Sequence, residues 1–370
     1  MVCKKAPRFV FILLVLLLLA SIVPIVAYAD SAYTVQPGDS LSGIASRFSV
    51  SVDAITSANS IANPNLIYAG QTLTIPNGAP AAGSDGTAPA TNTDNAPASP
   101  PPPPKKQTAP PSGPGAILGT RRLLTYYGNP YAAQMGILGA LDKQQLVAEL
   151  KKKAAEYQAL SDRPVQPAIH FIVTVAQASP GPDGMYTLRM PMSLVQEYVD
   201  LAAQNNMLIF LDIQVGRSSV QKELEPWIPL LSKEHVHLAL DPEFDMWQGQ
   251  VPGQQLGHMT ADEINYAEKV LNDIIEKNNL SNNKILIVHQ FTRSMLPDKA
   301  NIQTYPRIEL VTDMDGFGSQ QVKLKHYQTY VRDELIKYAG IKLFYKWDSP
   351  LFTPEQVMNL DPVPDVIIYQ

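Results

Sequence analysis

From Arg121 to the last residue, short apolar runs alternate with helical patterns, and this rhythm limits the fold more than any other feature of the chain. Eight runs stand out: 122–127, 169–176, 207–213, 236–240, 285–288, 308–312, 341–345 and 366–369. Ile285-Leu286-Ile287-Val288 has no polar face, as expected of a parallel strand buried on both sides. Helical periodicity fills 141–159, 193–204, 219–231, 260–278 and 319–338, and Thr260 followed by Glu263 makes a capping box. The intervals after the fifth and seventh runs are short and leave room only for stunted helices. Eight strands alternating with helices over about 250 residues predict an α/β fold, a closed (β/α)8 barrel. The rival is a doubly wound open sheet, but no Gly-x-Gly-x-x-Gly phosphate turn follows the first run.

The rest of the 370-residue chain divides by composition. Residues 1–29 carry Lys4, Lys5 and Arg8 ahead of an apolar stretch from Phe9 to Ala27, and Ala27-Tyr28-Ala29 offers a small-x-small cleavage pattern. The expectation is an export signal cut before Asp30, giving a secreted, cell-wall-associated protein. The alternative is an uncleaved anchor in the cytoplasmic membrane with the domains outside, since about 18 apolar residues can span a bilayer. Residues 78–118 are rich in Pro, Ala and Gly, with five consecutive prolines at Pro100–Pro104. Such a stretch buries too little apolar surface to fold, so it reads as a disordered spacer, with reach on the order of 100 Å. The barrel then occupies 119–370 and a compact unit occupies 30–77.

That unit opens with Tyr33-Thr34-Val35-Gln36-Pro37-Gly38-Asp39-Ser40-Leu41 and closes with Ile67-Tyr68-Ala69-Gly70-Gln71-Thr72-Leu73-Thr74-Ile75-Pro76. Ser40 is suited to cap a helix whose apolar face is Leu41, Ile44, Ala45 and Phe48, and a second helix lies near Val52 to Ala58. This strand-helix-helix-strand pattern resembles the LysM family over the whole module, residues 33–76. The resemblance implies a shallow glycan groove with Gly38, Asp39, Ser40 and Leu41 on one wall and Leu66, Ile67 and Tyr68 on the other. The partner it implies is peptidoglycan or a chitin-type N-acetylglucosamine glycan. Leu41, Ile44, Phe48 and Ile55 also read as core positions.

In a barrel of the TIM type, chemistry gathers at the carboxyl ends of the strands. Those ends are polar here: Tyr126 and Tyr127; Gln177; Asp212 and Gln214; Asp241-Pro242-Glu243; His289 and Gln290; Asp313 and Asp315; Lys346, Trp347 and Asp348; Gln370. Because side chains alternate along a strand, Asp241 and Glu243 are expected to share a face, roughly 6.5–7 Å apart by strand rise. Paired carboxylates of this kind supply the proton donor and the second carboxylate that glycoside hydrolysis needs. The candidate general acid is Glu243, with Asp241, Asp212 or Asp313 orienting or activating water and Asp348 as a further nucleophile candidate. Tyr127, Gln177, His289 and Gln370 are candidates to hydrogen-bond sugar hydroxyls, and Trp247 and Trp347 to stack on sugar rings. The plainer readings are a turn cap for Asp241, packing for either Trp, and a hydrogen-bonded core position for His289. Asp-x-Glu at the fourth strand also resembles the lysozyme-type muramidases and the wider barrel glycosidases. The muramidases' opening Asp motif and the Asp-rich chitinase signature are absent.

Other chemistries find little footing. A formal charge of −5 without a basic patch gives nucleic acid no purchase. Cys3 is the only cysteine and precedes the signal cleavage point, so a mature chain has neither disulfide nor thiolate. The six histidines form no His-Glu-x-x-His pair, so neither metal nor cofactor is expected. Two functions remain: a wall-anchored glycoside hydrolase, muramidase-like, or a non-catalytic barrel that binds glycan or a surface partner.

Overall fold

The structure, a computed structural model, describes residues 31–35, 41–48, 50, 52–59, 61, 71–76 and 113–370. The expected export signal and most of the Pro-rich spacer lie outside the described residues. No helix among those described is long and apolar enough to cross a membrane. The chain divides into two units, Met1–Pro89 and Ala90–Gln370.

In the first unit, β1 (Ser31–Thr34) pairs antiparallel with β2 (Thr72–Ile75), and helices Leu41–Phe48 and Val52–Ala58 lie between them in sequence. Val35, Leu41, Ile44, Ala45, Val50, Ile55, Leu73 and Ile75 form its core, with Phe48 partly buried against it. Asn59, just past the second helix, ties it to the sheet: its amide donates to Ile55 O (2.8 Å) and Thr74 O (2.7 Å), while its Oδ1 accepts from Thr74 N (2.7 Å). A side-chain amide has both donor and acceptor to make such a two-way bond.

The second unit is a closed barrel. Its strands are β3 (Arg122–Gly128), β4 (Val165–Ala176), β6 (Leu208–Ile213), β7 (Val236–Leu240), β8 (Lys284–Gln290), β9 (Ile308–Met314), β10 (Tyr338–Leu343) and β11 (Val366–Tyr369). Each pairs in parallel with the next, and β3 pairs with both β4 and β11, which shuts the ring. All eight expected strands are present, with edges displaced by a few residues. One addition went unread: β5 (Thr187–Arg189) pairs antiparallel with the upper end of β4. It is only three residues long, too short for a periodic signal.

The helices largely follow the sequence pattern, at Lys143–Gln158, Met192–Gln204 and Ala261–Asn278. Thr260 and Glu263 form the expected capping box, with Glu263 accepting from Thr260 N at 2.8 Å. After β8 come only two 3-10 turns, and after β10 a five-residue helix, Pro354–Met358. The interval expected as helix over 319–338 instead runs α-helical for Gln320–His326 and then as a π-turn through Arg332. The amino end of the barrel is stoppered by the chain's own entry. Glu309 accepts from Ile117 N (2.8 Å) and Leu118 N (2.7 Å), whose side chains are buried beneath the strands.

Glu268, on the inner face of helix Ala261–Asn278, is fully buried, and burial pushes its carboxyl up to about 7, with Lys337 pulling the other way. The folded chain therefore keeps a proton that the unfolded chain releases above about 4.5. A raised acid contributes stability at low pH that is lost as pH rises through the folded value. Glu268→Gln is expected to match the parent near pH 4 and to exceed it by roughly 2 kcal/mol at pH 8. Urea unfolding at both pH values measures this; the same offset at both would contradict it.

Candidate active site

Strand register assembles a polar cluster at the carboxyl mouth of the barrel. Tyr127 lies opposite His170, His289 opposite Asp313, and Asp313 opposite Gly340. His289 is the hub. Its Nδ1 sits 2.8 Å from Asp313 Oδ2 and 3.6 Å from Asp315 Oδ2, while its Nε2 lies 3.4 Å from Asp212 Oδ2. His170 Nε2 reaches the same Asp212 oxygen at 3.0 Å. Lys342 Nζ donates to Asp315 Oδ2 at 3.0 Å and stands over the Tyr127 ring, 3.5 Å from its centroid. Gln214 bridges outward, donating to Asp241 Oδ2 (3.1 Å) and accepting from Ala176 N (2.9 Å).

Gly340 makes the arrangement possible. A Cβ there would meet Asp313 Oδ1 at 2.8 Å and Asp313 Cα at 3.0 Å. The bare backbone lets the Asp313 carboxylate lie across β10 toward His289, which is why a glycine stands inside this buried strand.

Electrostatics divide the carboxylates into two sets. Burial works against the charge of Asp212, but its hydrogen bonds with His170 and His289 outweigh that and hold it well below the usual carboxylate range. Burial and Lys342 oppose the charge of His289, yet Asp212, Asp313 and Asp315 keep its imidazolium favoured far above the ordinary histidine value. His170, by contrast, is pushed down to about 4 by burial and stays neutral. Lys342 is also buried, but Asp315, Asp241, Asp212 and Asp313 keep it charged. Asp241 and Glu243 behave in the opposite sense. Burial raises Asp241 to about 7, with Asp212 and Asp315 pushing further and His289 and Lys342 pulling back. Burial, then Asp241, raises Glu243 well above the usual range. Burial raises Asp315 as well, against the pull of Lys342 and His289, so Asp241, Glu243 and Asp315 lean toward the protonated form while Asp212 is held ionised.

Exposure separates them further. Asp212, Asp313 and His289 are fully enclosed, and Asp241 is 1% exposed. Glu243 is half-buried and keeps surface toward solvent.

Several expectations need correction. The fourth barrel strand stops at Leu240, and Pro242–Phe244 form a 3-10 turn. Proline has no N–H to continue the ladder, so strand alternation does not set the Asp241–Glu243 geometry. They remain within electrostatic reach of each other across the turn. Asp348 is outside the cluster. It pairs with the buried Lys323 (3.0 Å) and accepts from Phe344 N (2.8 Å) and Gly318 N (3.0 Å), a structural assignment. His289 is engaged by Asp212 and Asp313 and the Tyr127 ring is covered by the Lys342 ammonium, so both are placed within the cluster rather than toward a sugar hydroxyl. Gln177 and Gln370 are partly exposed at the ends of β4 and β11, and Trp247 and Trp347 project into solvent. In the small module the Leu41 side chain belongs to the core; Gly38, Asp39, Ser40, Leu66, Ile67 and Tyr68 lie outside the described residues.

Four members of the cluster were not assigned from sequence: His170, Gln214, Asp315 and Lys342. His170 and Lys342 lie within runs buried on both faces, where a titratable side chain must find a partner. The seventh run was read as 341–345, whereas β10 is Tyr338–Leu343. That shift moved the apparent mouth to Lys346–Asp348 and hid Lys342.

Two sets of donors could hold a metal ion: His170, Asp212 and His289, and His289, Asp313 and Asp315, each with ligand atoms within 4.8 Å of one another. Both depend on His289 giving up its proton, and the second also on displacing the Lys342 ammonium from Asp315. The positive charge these carboxylates require is already supplied by those two side chains, so the residues fit a metal poorly.

Residues 33–76 are a LysM domain, by match to that family. The chain as a whole is thus a two-unit protein in which a LysM domain precedes a (β/α)8 barrel. The probable autolysin SsaALP of Staphylococcus aureus (strain NCTC 8325 / PS 47) is 51% identical over 67 residues, covering 18% of this chain and 23% of that protein. The chain therefore spans less than a quarter of the curated relative it matches. Among solved structures, the spore cortex-lytic enzyme SleL of Bacillus megaterium QM B1551 aligns at 11% identity and TM-score 0.33, over 86% of this chain and 63% of that one. SleL of Bacillus cereus aligns at 11% and 0.32, over 85% and 62%. An endoglucanase aligns at 10% and 0.36, over 67% and 88%. Alignments this loose say nothing about the chemistry of the barrel.

Proposed function

We propose that the chain is an exported glycoside hydrolase that holds peptidoglycan or a related N-acetylglucosamine glycan through its LysM domain and cleaves it at the barrel mouth. One observation carries the reading. Glu243 and Asp241 sit together at the carboxyl end of β7, both held toward the protonated form, beside an Asp212 held ionised between His170 and His289. The LysM domain and the likeness to a probable autolysin support the choice of polymer and a location at the cell wall.

In this mechanism Glu243 gives its proton to the glycosidic oxygen as the C1–O bond breaks, and the leaving sugar departs as an alcohol. Asp241 takes a proton from the water whose oxygen forms the new bond to C1. Asp212 and Asp313, already committed to histidines, hold the floor in place rather than react. A second reading, a barrel that binds glycan without cutting it, draws on the enclosure of Asp241.

Release of new reducing ends from purified peptidoglycan by the full chain separates the two; retention on the wall without product favours the second. Because Asp241 must ionise while Glu243 keeps its proton, kcat/KM is expected to be bell-shaped, rising with pH through a limb near 7. Asp241→Asn should remove that acid limb, and a profile flat from pH 5 to 8 would refute the pairing.

A further inference from the structure

Among the described residues, every strongly exposed aromatic side chain follows a barrel strand. Tyr131 comes after β3, Trp247 after β7, and Tyr345 and Trp347 after β10, with exposures of 66%, 62%, 41% and 58%. Large rings in water forgo a burial gain, and one sited at random would fall on either end of the barrel or on its helices. Tyr345 stacks on Tyr369, which is hydrogen-bonded to Tyr157 of helix Lys143–Gln158, whereas Tyr131, Trp247 and Trp347 stand on loops of the end that carries Glu243.

The two tryptophans are held in place. Trp247 meets the His258 ring edge-on at 4.3 Å between centroids, and His258 is itself tied back by its N–H to Asp245 O. Trp347 leans on Phe317 at 6.0 Å, and Phe317 packs on Phe344 at 5.7 Å. Each indole is thus propped by a second ring while more than half of its surface stays open, the condition for stacking without ordering a loose side chain first.

Their positions bracket the site. In the ring β3-β4-β6-β7-β8-β9-β10-β11, the β7 and β10 loops are three strands apart out of eight. They therefore rise on different sides of the mouth, and the His289, Asp313 and Asp315 cluster of β8 and β9 lies between them. Glu243 and Trp247 leave the same loop, whereas Trp347 leaves the β10 loop on another side of the opening.

We propose that the barrel takes its glycan lengthwise across the mouth, with Trp247 beside the catalytic carboxyls on the β7 loop and Trp347 on the β10 loop as ring-stacking subsites on different sides of the opening, so that bonds are cut inside the polymer rather than at its ends. This rests on the hydrolase reading for the cutting and on the rim geometry for the crossing. A glycan that touched one tryptophan alone would enter end-first and lose one or two sugars at a time.

Two measurements on the full chain test it, both using N-acetylglucosamine oligomers of two to eight units. In the first, kcat/KM is followed against chain length and products are identified by mass spectrometry. Turnover is expected to rise steeply with length and to yield internal fragments. Trp247→Ala and Trp347→Ala should each cut the long-to-short preference about tenfold, while the LysM contribution stays common to all variants. Release of mono- or disaccharide alone, or equal loss on short and long oligomers, overturns the proposal. In the second, the indole N–H signals of the protein are recorded as the hexamer is added. The signals of Trp247 and Trp347 should both move and that of Trp227, 2% exposed, should not. If both move yet no oligomer is cut, the crossing stands and the hydrolase reading falls. If neither moves, or only one, the crossing itself is refuted.

Discussion

Glu243→Gln is expected to lower the release of reducing ends from peptidoglycan by about a thousandfold, the usual scale for losing a general acid. Gln has nearly the same shape and can donate a hydrogen bond, but it cannot deliver a proton to the departing oxygen. The substitution also removes a carboxyl that burial and Asp241 already keep uncharged, so folding should be little disturbed. Melting temperature and retention on insoluble peptidoglycan should both match the parent. A variant that keeps more than a tenth of the parental rate with an intact fold would remove Glu243 from the mechanism. Asp241→Asn should show a comparable loss, with the change in pH profile described above.

Lys323→Met is expected to cost roughly 3–5 kcal/mol of stability, because it strands Asp348 as a buried charge. Both side chains are fully enclosed and 3.0 Å apart. Lys323 also donates to Gly316 O (2.6 Å) and Lys342 O (2.7 Å), so two carbonyls lose their partner as well. For a barrel of this size the loss corresponds to a fall in Tm on the order of 10 °C. The double variant Lys323→Met with Asp348→Asn should recover part of it, since the remaining side chain is neutral and still accepts from Phe344 N. Calorimetry on the three proteins checks this; a double variant no better than the single would show that packing, not charge, dominates.

These predictions rest on unequal kinds of sequence information. The barrel was legible because strands buried on both faces are largely apolar, and runs such as Ile285–Val288 cannot be mistaken for amphipathic elements. The small module was legible because its opening and closing motifs stand at fixed spacing. Asp241 and Glu243 were found by their place at a strand end, although the reason given for their nearness did not survive Pro242. Asp348 was placed at the mouth and Lys342 passed over because the carboxyl edge of β10 was read two residues late, at Tyr345 instead of Leu343. The partners of His289 were beyond reach for another reason. His170, Asp212, His289 and Asp313 come from four strands spread over more than a hundred residues, and only ring closure brings them together.

The enclosure of the polar cluster has an electrical consequence. With Asp212, Asp241, Asp313 and His289 buried and Glu243 half-buried beside them, the interior is a nearly closed chamber whose most exposed carboxyl is Glu243. Each catalytic cycle, if it runs as proposed, leaves the chamber with its original charge, because the proton gained by Asp241 must travel outward to replace the one spent.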